Sequence, residues 1–520
     1  MRLLSLLAAA SVCVFHAVAD GDWPAWRGPL QSGAQLQSGA LTDSLPSNTW
    51  KAVWESAPIP GDTEGGFGSP VVADGRVYLF CSWRTWTNLS VRLLTAGQAA
   101  QLGLVPPALS DAALSEIEAA RASPERRALS GADVGKWAKE WVAAHAAVTQ
   151  QVVFARFAED RISRGDAAFP VDGLRCVTQI VDRTWPSPEA LDAWFKEAGI
   201  TNTLARRIDQ LIPKRTSSME DVLLCLDAVD GRLLWKQAYP GRVSDWGASS
   251  TPCVSRGRVY VMGSGGMAYG FDARTGGLLW TNAVARRVVS SSFVIDGDRL
   301  FVQAGPLTAL DPATGAVLWT QKAANNDNAS AAFWKGSGAE HVIAGGGRLV
   351  CVNAADGTVA WSVPGGDSST PAVLGDALAV QSGSGLLVYR LSTTGAVLVA
   401  SIRNAGSRGA SAAVADGKGY TTSEAQATCV DLGTGAVVWQ VPGTAEQFAS
   451  PVVADGKLVS LGSDGRLFLF DAASGRLLGC KKVDALRCTS PALAGTRVYI
   501  RTVKGVRCYD LARELPPVSR

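Results

Sequence analysis

Ala309-Leu-Asp311-Pro-Ala-Thr314-Gly315-Ala-Val-Leu-Trp319 recurs along this chain of 520 residues, and its reading decides the fold. The spacing is Asp, three residues to Thr, Gly next, then Trp four beyond. Copies run Asp227–Trp235, Asp272–Trp280, Asn353–Trp361 and Asp431–Trp439, with degenerate copies at Leu391–Val399 and Asp471–Gly479. A second phrase precedes each copy. It is a Ser/Thr-Pro or its Ala/Ser variant, then small or apolar residues, Gly and an apolar strand. It begins at Ser69, Thr251, Ser291, Ser330, Thr370, Ser411, Ser450 and Ser490, with intervals of 39 to 41 residues from Thr251 onward. A period of about 40 residues in all-β phrasing marks a propeller blade.

The chemistry of the phrase agrees. Runs such as Arg258-Val-Tyr-Val-Met262 suit strands. Asp-x-x-Thr-Gly makes a tight turn, in which the carboxylate accepts backbone N–H groups and Gly takes a positive φ. The Trp then stands on an outer strand, where its ring can cover the seam between blades. The Ser-Pro strand lacks bulk, as a strand crowded at a central axis must. Eight such phrases predict an all-β fold, an eight-bladed β-propeller. The last phrase has no outer Trp strand after it, and Trp50-Lys-Ala-Val-Trp54-Glu55 precedes the first. That segment is expected to complete blade eight and close the ring, leaving no open sheet edge.

On these residues the chain resembles the quinoprotein-like β-propellers built from PQQ (pyrroloquinoline quinone) repeats. The likeness covers roughly 50–83 and 221–511. Trp23-Pro-Ala-Trp26-Arg27-Gly28-Pro29 is similar to a segment at the start of many secreted members. The family holds both dehydrogenases and non-catalytic scaffolds, including the outer-membrane assembly propellers, so the repeats speak to fold more than to function.

Residues 1–19 read as a secretory signal: Arg2, an apolar core over Leu3 to Val14, and Ala17-Val-Ala19 before the cleavage point. A periplasmic or secreted protein follows. Residues 20–83 hold the N-terminal segment, the closing strand and the start of blade one, and 221–520 the rest of the propeller. Residues 84–220 break the pattern, because Ser69 and Thr251 are 182 residues apart. This insertion in blade one reads as helices. Ser110 and Ser187-Pro188 open two of them, and Gly135 to Asp160 is a long one carrying Trp137, Trp141, Val148 and Val152. The insertion is expected to be a helical subdomain, or a partner-docking or lid module.

The net charge of +3, or +2 without Arg2, comes with no basic block, so nucleic acid is not an expected partner. No other apolar run is long enough for a membrane span. Cys225, Cys351, Cys429 and Cys508 share one slot, two residues before the Asp or Asn of the turn, where Gly270 and Ala309 also stand. They are expected to be small, buried and reduced. Cys480 and Cys488 are candidates for a disulfide. There is no Cys-x-x-Cys-His, no zinc spacing and no adjacent Cys pair of the kind the family's alcohol dehydrogenases carry. After signal cleavage only His145 and His341 remain, so neither a multi-histidine metal site nor a catalytic triad is expected.

The candidate ligand site comes from the loops that enter the Ser-Pro strands. Three or four positions before the phrase stand Arg287, Asp327, Asn328, Asp367, Arg408, Glu446, Gln447 and Arg487, with Trp246 and Phe67 on equivalent loops. They are expected to ring one mouth of a central channel. Two function classes stay open. One is an exported, non-catalytic scaffold that binds an envelope protein, peptide or small molecule without a cofactor. The other, implied by the resemblance, is a dehydrogenase using PQQ with calcium. Such a calcium commonly takes Glu, Asn and Asp; Glu446, Asn328 and Asp367 have those types but lie in different blades.

Overall fold

A computed structural model of the chain describes residues 21–45, 50–59, 65–100, 104–145, 151–200, 202–336, 338–383, 385–407, 409–423, 425–443 and 448–513. Residues 1–19, read as a secretory signal, lie outside them. The chain divides into two compact units, one of residues 1–85 with 218–520, the other 86–217.

The first unit is mostly β. Its strands form eight antiparallel sheets of four strands, whose first strands are Val71–Ala73, Cys253–Ser255, Val294–Asp296, Ala332–Gly336, Ala372–Leu374, Ala413–Ala415, Val452–Ala454 and Ala492–Ala494. In the seventh sheet the short strand Ala34–Gln35 adds a fifth member, parallel to Val452–Ala454. The eighth sheet draws its fourth strand from the other end of the chain: Trp54 lies opposite Cys508, and Glu55 opposite Arg507.

One register explains the shared cysteine slot. The slot residue sits directly across from the outer-strand tryptophan: Cys225 from Trp235, Gly270 from Trp280, Ala309 from Trp319, Cys351 from Trp361 and Cys429 from Trp439. The indole folds back over its partner, so the slot must be small. At Gly270 a Cβ would stand 2.4 Å from the Trp280 ring. Cys508 opposite Trp54 repeats the pairing, which identifies Trp54 as the tryptophan missing from the C-terminal repeat. The four slot cysteines are buried free thiols. Burial pushes Cys225 and Cys429 up to about 11, and Cys351 and Cys508 up to about 12. Cys480 is an exposed free thiol, so it does not pair with Cys488.

Each tryptophan also ties its sheet to the next. Trp280 Nε1 donates to Pro312 O at 3.0 Å, Trp319 Nε1 to Ala354 O at 3.2 Å and Trp439 Nε1 to Ala472 O at 3.0 Å. The accepting carbonyls belong to the Asp-x-x-Thr-Gly turns or their variants Asn353-Ala-Ala-Asp-Gly357 and Asp471-Ala-Ala-Ser-Gly475. In those turns Asp272 Oδ1 accepts from Thr275 N and Thr275 Oγ1, both at 2.7 Å, and Asp431 Oδ1 accepts likewise from Thr434 at 2.9 Å. These bonds favour the carboxylate and hold Asp272, Asp431 and Asp471 below the ordinary aspartate range. A depressed folded pKa gives stability that is present above the unfolded value and is lost as pH falls through the folded one. The urea midpoint is therefore expected to start falling near about pH 4 and to fall further below it. Asp272→Asn should flatten that fall; an acid limb as steep as wild type would count against the turns as its source.

The second unit is helical. Ser110 Oγ accepts from Ala113 N at 3.2 Å and caps Asp111–Ala122, and Ser187 Oγ accepts from Ala190 N at 3.3 Å and caps Pro188–Glu197. Phe169, Leu174, Trp185, Leu191 and Phe195 form its main core. The stretch expected as one long helix over Gly135 to Asp160 is two, Ala132–Ala144 and Val152–Arg164. They pack on each other through Ala138 and Ile162, with Trp137 and Trp141 alongside. The expected face holds at Trp137 and Trp141 and fails at Val152, which is 71% exposed; Val148 lies outside the described residues.

Candidate functional site

The eight first strands are linked by one repeated hydrogen bond. Ser69 N donates to Thr251 Oγ1 at 3.0 Å, Thr251 N to Ser292 Oγ at 2.9 Å, Ser292 N to Ser330 Oγ at 2.9 Å and Ser330 N to Thr370 Oγ1 at 3.1 Å. Thr370 N then donates to Ser411 Oγ at 3.0 Å, Ser411 N to Ser450 Oγ and Ser450 N to Ser490 Oγ, both at 2.9 Å. The last bond, Ser490 N to Ser69 Oγ at 3.0 Å, returns to the first residue. Proline after Ser69, Thr251, Thr370, Ser450 and Ser490 holds each in an extended conformation. The third position is Ser292 and not Ser291. The run Ser290-Ser-Ser-Phe293 has no proline to mark its register, and the buried Phe293 takes the proline's place.

A hydroxyl carries one proton and two lone pairs. Each of the eight accepts a backbone N–H, and Thr370 Oγ1 also accepts Trp26 Nε1 at 3.2 Å. None donates to an acceptor among the described residues. The cycle is thus a ring of hydrogen-bond donors.

Above it lies a well of about 460 Å³. Its wall is made by the residues two positions before the ring hydroxyls, among them Phe67, Ser290, Asn328, Ser368, Phe448 and Cys488. Extended chain alternates its side chains, so the residue two back shares the axial direction of the hydroxyl, and the residue three back does not. Trp246 stands over the mouth, half exposed, with ring centroids 5.7 Å from Phe67 and 6.4 Å from Phe448.

Buried polar groups fix the two loops that carry these aromatics. Ala248 N donates to Ser82 Oγ at 2.6 Å, and Ser82 Oγ donates to Asp221 Oδ1 at 3.0 Å. Asp221 Oδ2 accepts from Ser264 N at 2.7 Å. Burial raises the Asp221 carboxyl above its usual range, against the pull of the Ser264 and Ser82 bonds. Arg501, also buried, donates to Gly68 O and Gly65 O at 3.2 Å each and holds the Phe67 loop.

The segment Trp23–Gln35 closes the opposite end. Trp23 exchanges backbone bonds with Val72, Val254 N donates to Pro24 O, Val414 N to Ser32 O and Val453 N to Gly33 O. One segment is thereby bonded to four of the first strands or the residues beside them. Trp26 forms the floor of the well. Arg27, 3% exposed, lies beneath it and donates from Nε to Gln31 O and from Nη2 to Ser32 O and Ala412 O. Burial pushes its guanidinium down to about 9, which leaves it charged at neutral pH.

Of the residues expected at the mouth, Phe67, Trp246 and Asn328 line the well. Arg287, Asp327 and Asp367 line a shallower hollow of about 290 Å³ together with Asn328, and Arg287 Nη1 is 3.4 Å from Asp327 Oδ2. Arg487 lies over Phe67, with its guanidinium carbon 5.5 Å from the ring centroid. Arg408, Glu446 and Gln447 fall outside the described residues. Counting three or four positions back missed Phe448 and Cys488; the two-residue alternation of extended chain points to both. Of the suggested calcium set, Asn328 and Asp367 line the same hollow, and Glu446 lies outside the described residues. The well wall supplies one amide and no carboxylate among the described residues.

Repeated four-stranded antiparallel sheets, joined through one ring of hydroxyls around an axial well, define a β-repeat protein whose loops build its site. The chain belongs to the PQQ_2 family, described as outer membrane protein assembly factor BamB, whose model matches residues 215–337, 264–424 and 423–514. A curated relative, the outer membrane protein assembly factor BamB of Salmonella typhimurium, is 30% identical over 101 residues, which is 18% of this chain and 24% of the relative. The match thus spans about a quarter of that relative's length. Among solved structures, BamB from Moraxella catarrhalis is 16% identical with a TM-score of 0.45, covering 55% of this chain and 91% of that one. A quinohemoprotein alcohol dehydrogenase from Pseudomonas putida HK5 is 13% identical with a TM-score of 0.43, covering 58% and 74%. Among the described residues no helix is long and apolar enough to cross a membrane.

Proposed function

We propose that this chain is an exported, non-catalytic scaffold of the cell envelope, an eight-bladed propeller closed by Trp54–Glu55, that binds a protein segment or small ligand in its axial well. The observation that carries the reading is the chemistry of the well. Three aromatic rings stand over hydroxyls and one amide, and no carboxylate, imidazole or amine is in the wall among the described residues. Such a wall offers stacking and hydrogen bonds. Its ionisable side chain among the described residues is the Cys488 thiol, with no imidazole or carboxylate beside it in the wall to act as a base. The family description, assembly factor, agrees with a binding role.

The test compares two readouts on the purified protein. Dye-linked oxidation of alcohols with added PQQ and calcium is expected to stay at background, and the absorbance spectrum to show no quinone band. Activity that depends on PQQ and calcium would establish the dehydrogenase reading instead. Trp246→Ala, at a position 52% exposed, is expected to leave the unfolding free energy within about 0.5 kcal/mol of wild type. It should weaken capture of the envelope partner about tenfold or more, as loss of an aromatic anchor does.

A further inference from the structure

Beneath Trp26 is a second, separate chamber. It has room for one water-sized centre, about 10 Å³, and its wall includes Arg27, Ser69, Thr251, Ser450 and Ser490. Arg27 has five N–H donors. Three are used, one on Nε and two on Nη2, and all three go to neutral carbonyls. Nη1 is buried and makes no hydrogen bond. No carboxylate among the described residues pairs with Arg27. A buried guanidinium without a counter-charge is costly, and its two idle N–H groups add to that cost.

The four hydroxyls in the wall have each accepted a backbone N–H from the neighbouring sheet, so each keeps its own proton to give. The chamber therefore gathers up to six donors around one small space, beside a full positive charge. A water molecule there must find places for its own two protons and leaves the charge unmatched. A spherical anion accepts from every donor and neutralises the charge. The space is too small for a phosphate, a sulfate or a carboxylated ligand.

We infer that the chamber beneath Trp26 is a binding site for one monatomic anion, chloride in physiological solution, held by Arg27 Nη1 and the hydroxyls of Ser69, Thr251, Ser450 and Ser490. The ion locks the N-terminal segment against the inner strands. Trp26 and Thr251 line both this chamber and the well.

The experiment is thermal unfolding of the full chain, dialysed free of halide and then titrated with sodium chloride or sodium bromide. Sodium gluconate keeps the ionic strength constant. The midpoint is expected to rise with halide concentration, as binding to the folded state alone requires. Arg27→Gln should abolish the dependence. In case that variant does not fold, a crystal of the wild-type protein grown with bromide supplies the second measurement, with an anomalous peak expected beside Arg27 Nη1. Equal midpoints in halide and gluconate together with no bromide peak in the chamber would overturn the proposal and leave water as the occupant.

Discussion

Trp54→Ala is expected to destabilise the β unit by about 3–5 kcal/mol, the range for truncating a buried tryptophan. Trp54 is 7% exposed. It sits on a strand of two residues, pairs with Cys508, donates from Nε1 to Ala228 O at 3.1 Å and packs 5.9 Å from Tyr499. Its ring also lies against Gly231 of the first sheet, where a Cβ would come within 2.3 Å. These contacts join residues from the two ends of the unit. Every other outer tryptophan works between repeats that are consecutive in the chain, so losing one leaves a covalent link across the seam. At Trp54 the chain also runs on into the first sheet, but Trp54–Glu55 joins Val506–Asp510, the rest of its own sheet, through side chains and hydrogen bonds between the two ends of the unit. Urea unfolding with Trp246→Ala as the reference checks this. If the two variants unfold at the same urea concentration, the N-terminal strand does not hold the seam.

The sheets, the tryptophan ties and the small slot opposite each tryptophan were legible because the phrase repeats. A repeat exposes which positions tolerate only Gly, Ala or Cys, and size alone then explains the slot. The N-terminal strand was legible by arithmetic, because the last repeat lacked its tryptophan. The site was harder to read. Loops entering the axis do not repeat, so only alternation within the extended chain places their side chains, and Phe448 and Cys488 follow from it while Arg287 and Asp367 do not. The part played by Trp26 and Arg27 could not be read at all. A single segment bonded to distant strands has no periodicity, and its meaning lies in contacts such as Arg27 with Ala412, 385 residues away. Ala132–Ala144 and Val152–Arg164 show the opposite failure: a period read across Gly135 to Asp160 concealed a reversal of the chain and put the exposed Val152 on a buried face.

Gly315→Ala is the second large effect, expected to cost about 2–5 kcal/mol, from roughly 1–2 for an L-residue held left-handed and 1–3 for overpacking. Read as a turn residue, Gly315 needs only its positive φ, which is +72°. The structure adds a second reason. A Cβ there would stand 2.3 Å from the Trp280 ring of the preceding sheet. That ring cannot retreat without losing its 3.0 Å bond to Pro312 O. Gly257 separates the two causes, because its φ is +71° and a Cβ there would meet nothing within 4 Å. Gly257→Ala therefore reports backbone strain alone, and the excess of Gly315→Ala over it reports the collision with the indole. Combining Gly315→Ala with Trp280→Leu should recover part of that excess, since a smaller side chain leaves room for the methyl group. Strict additivity of the two changes would mean that the turn glycine and the tryptophan of the preceding sheet do not share the seam.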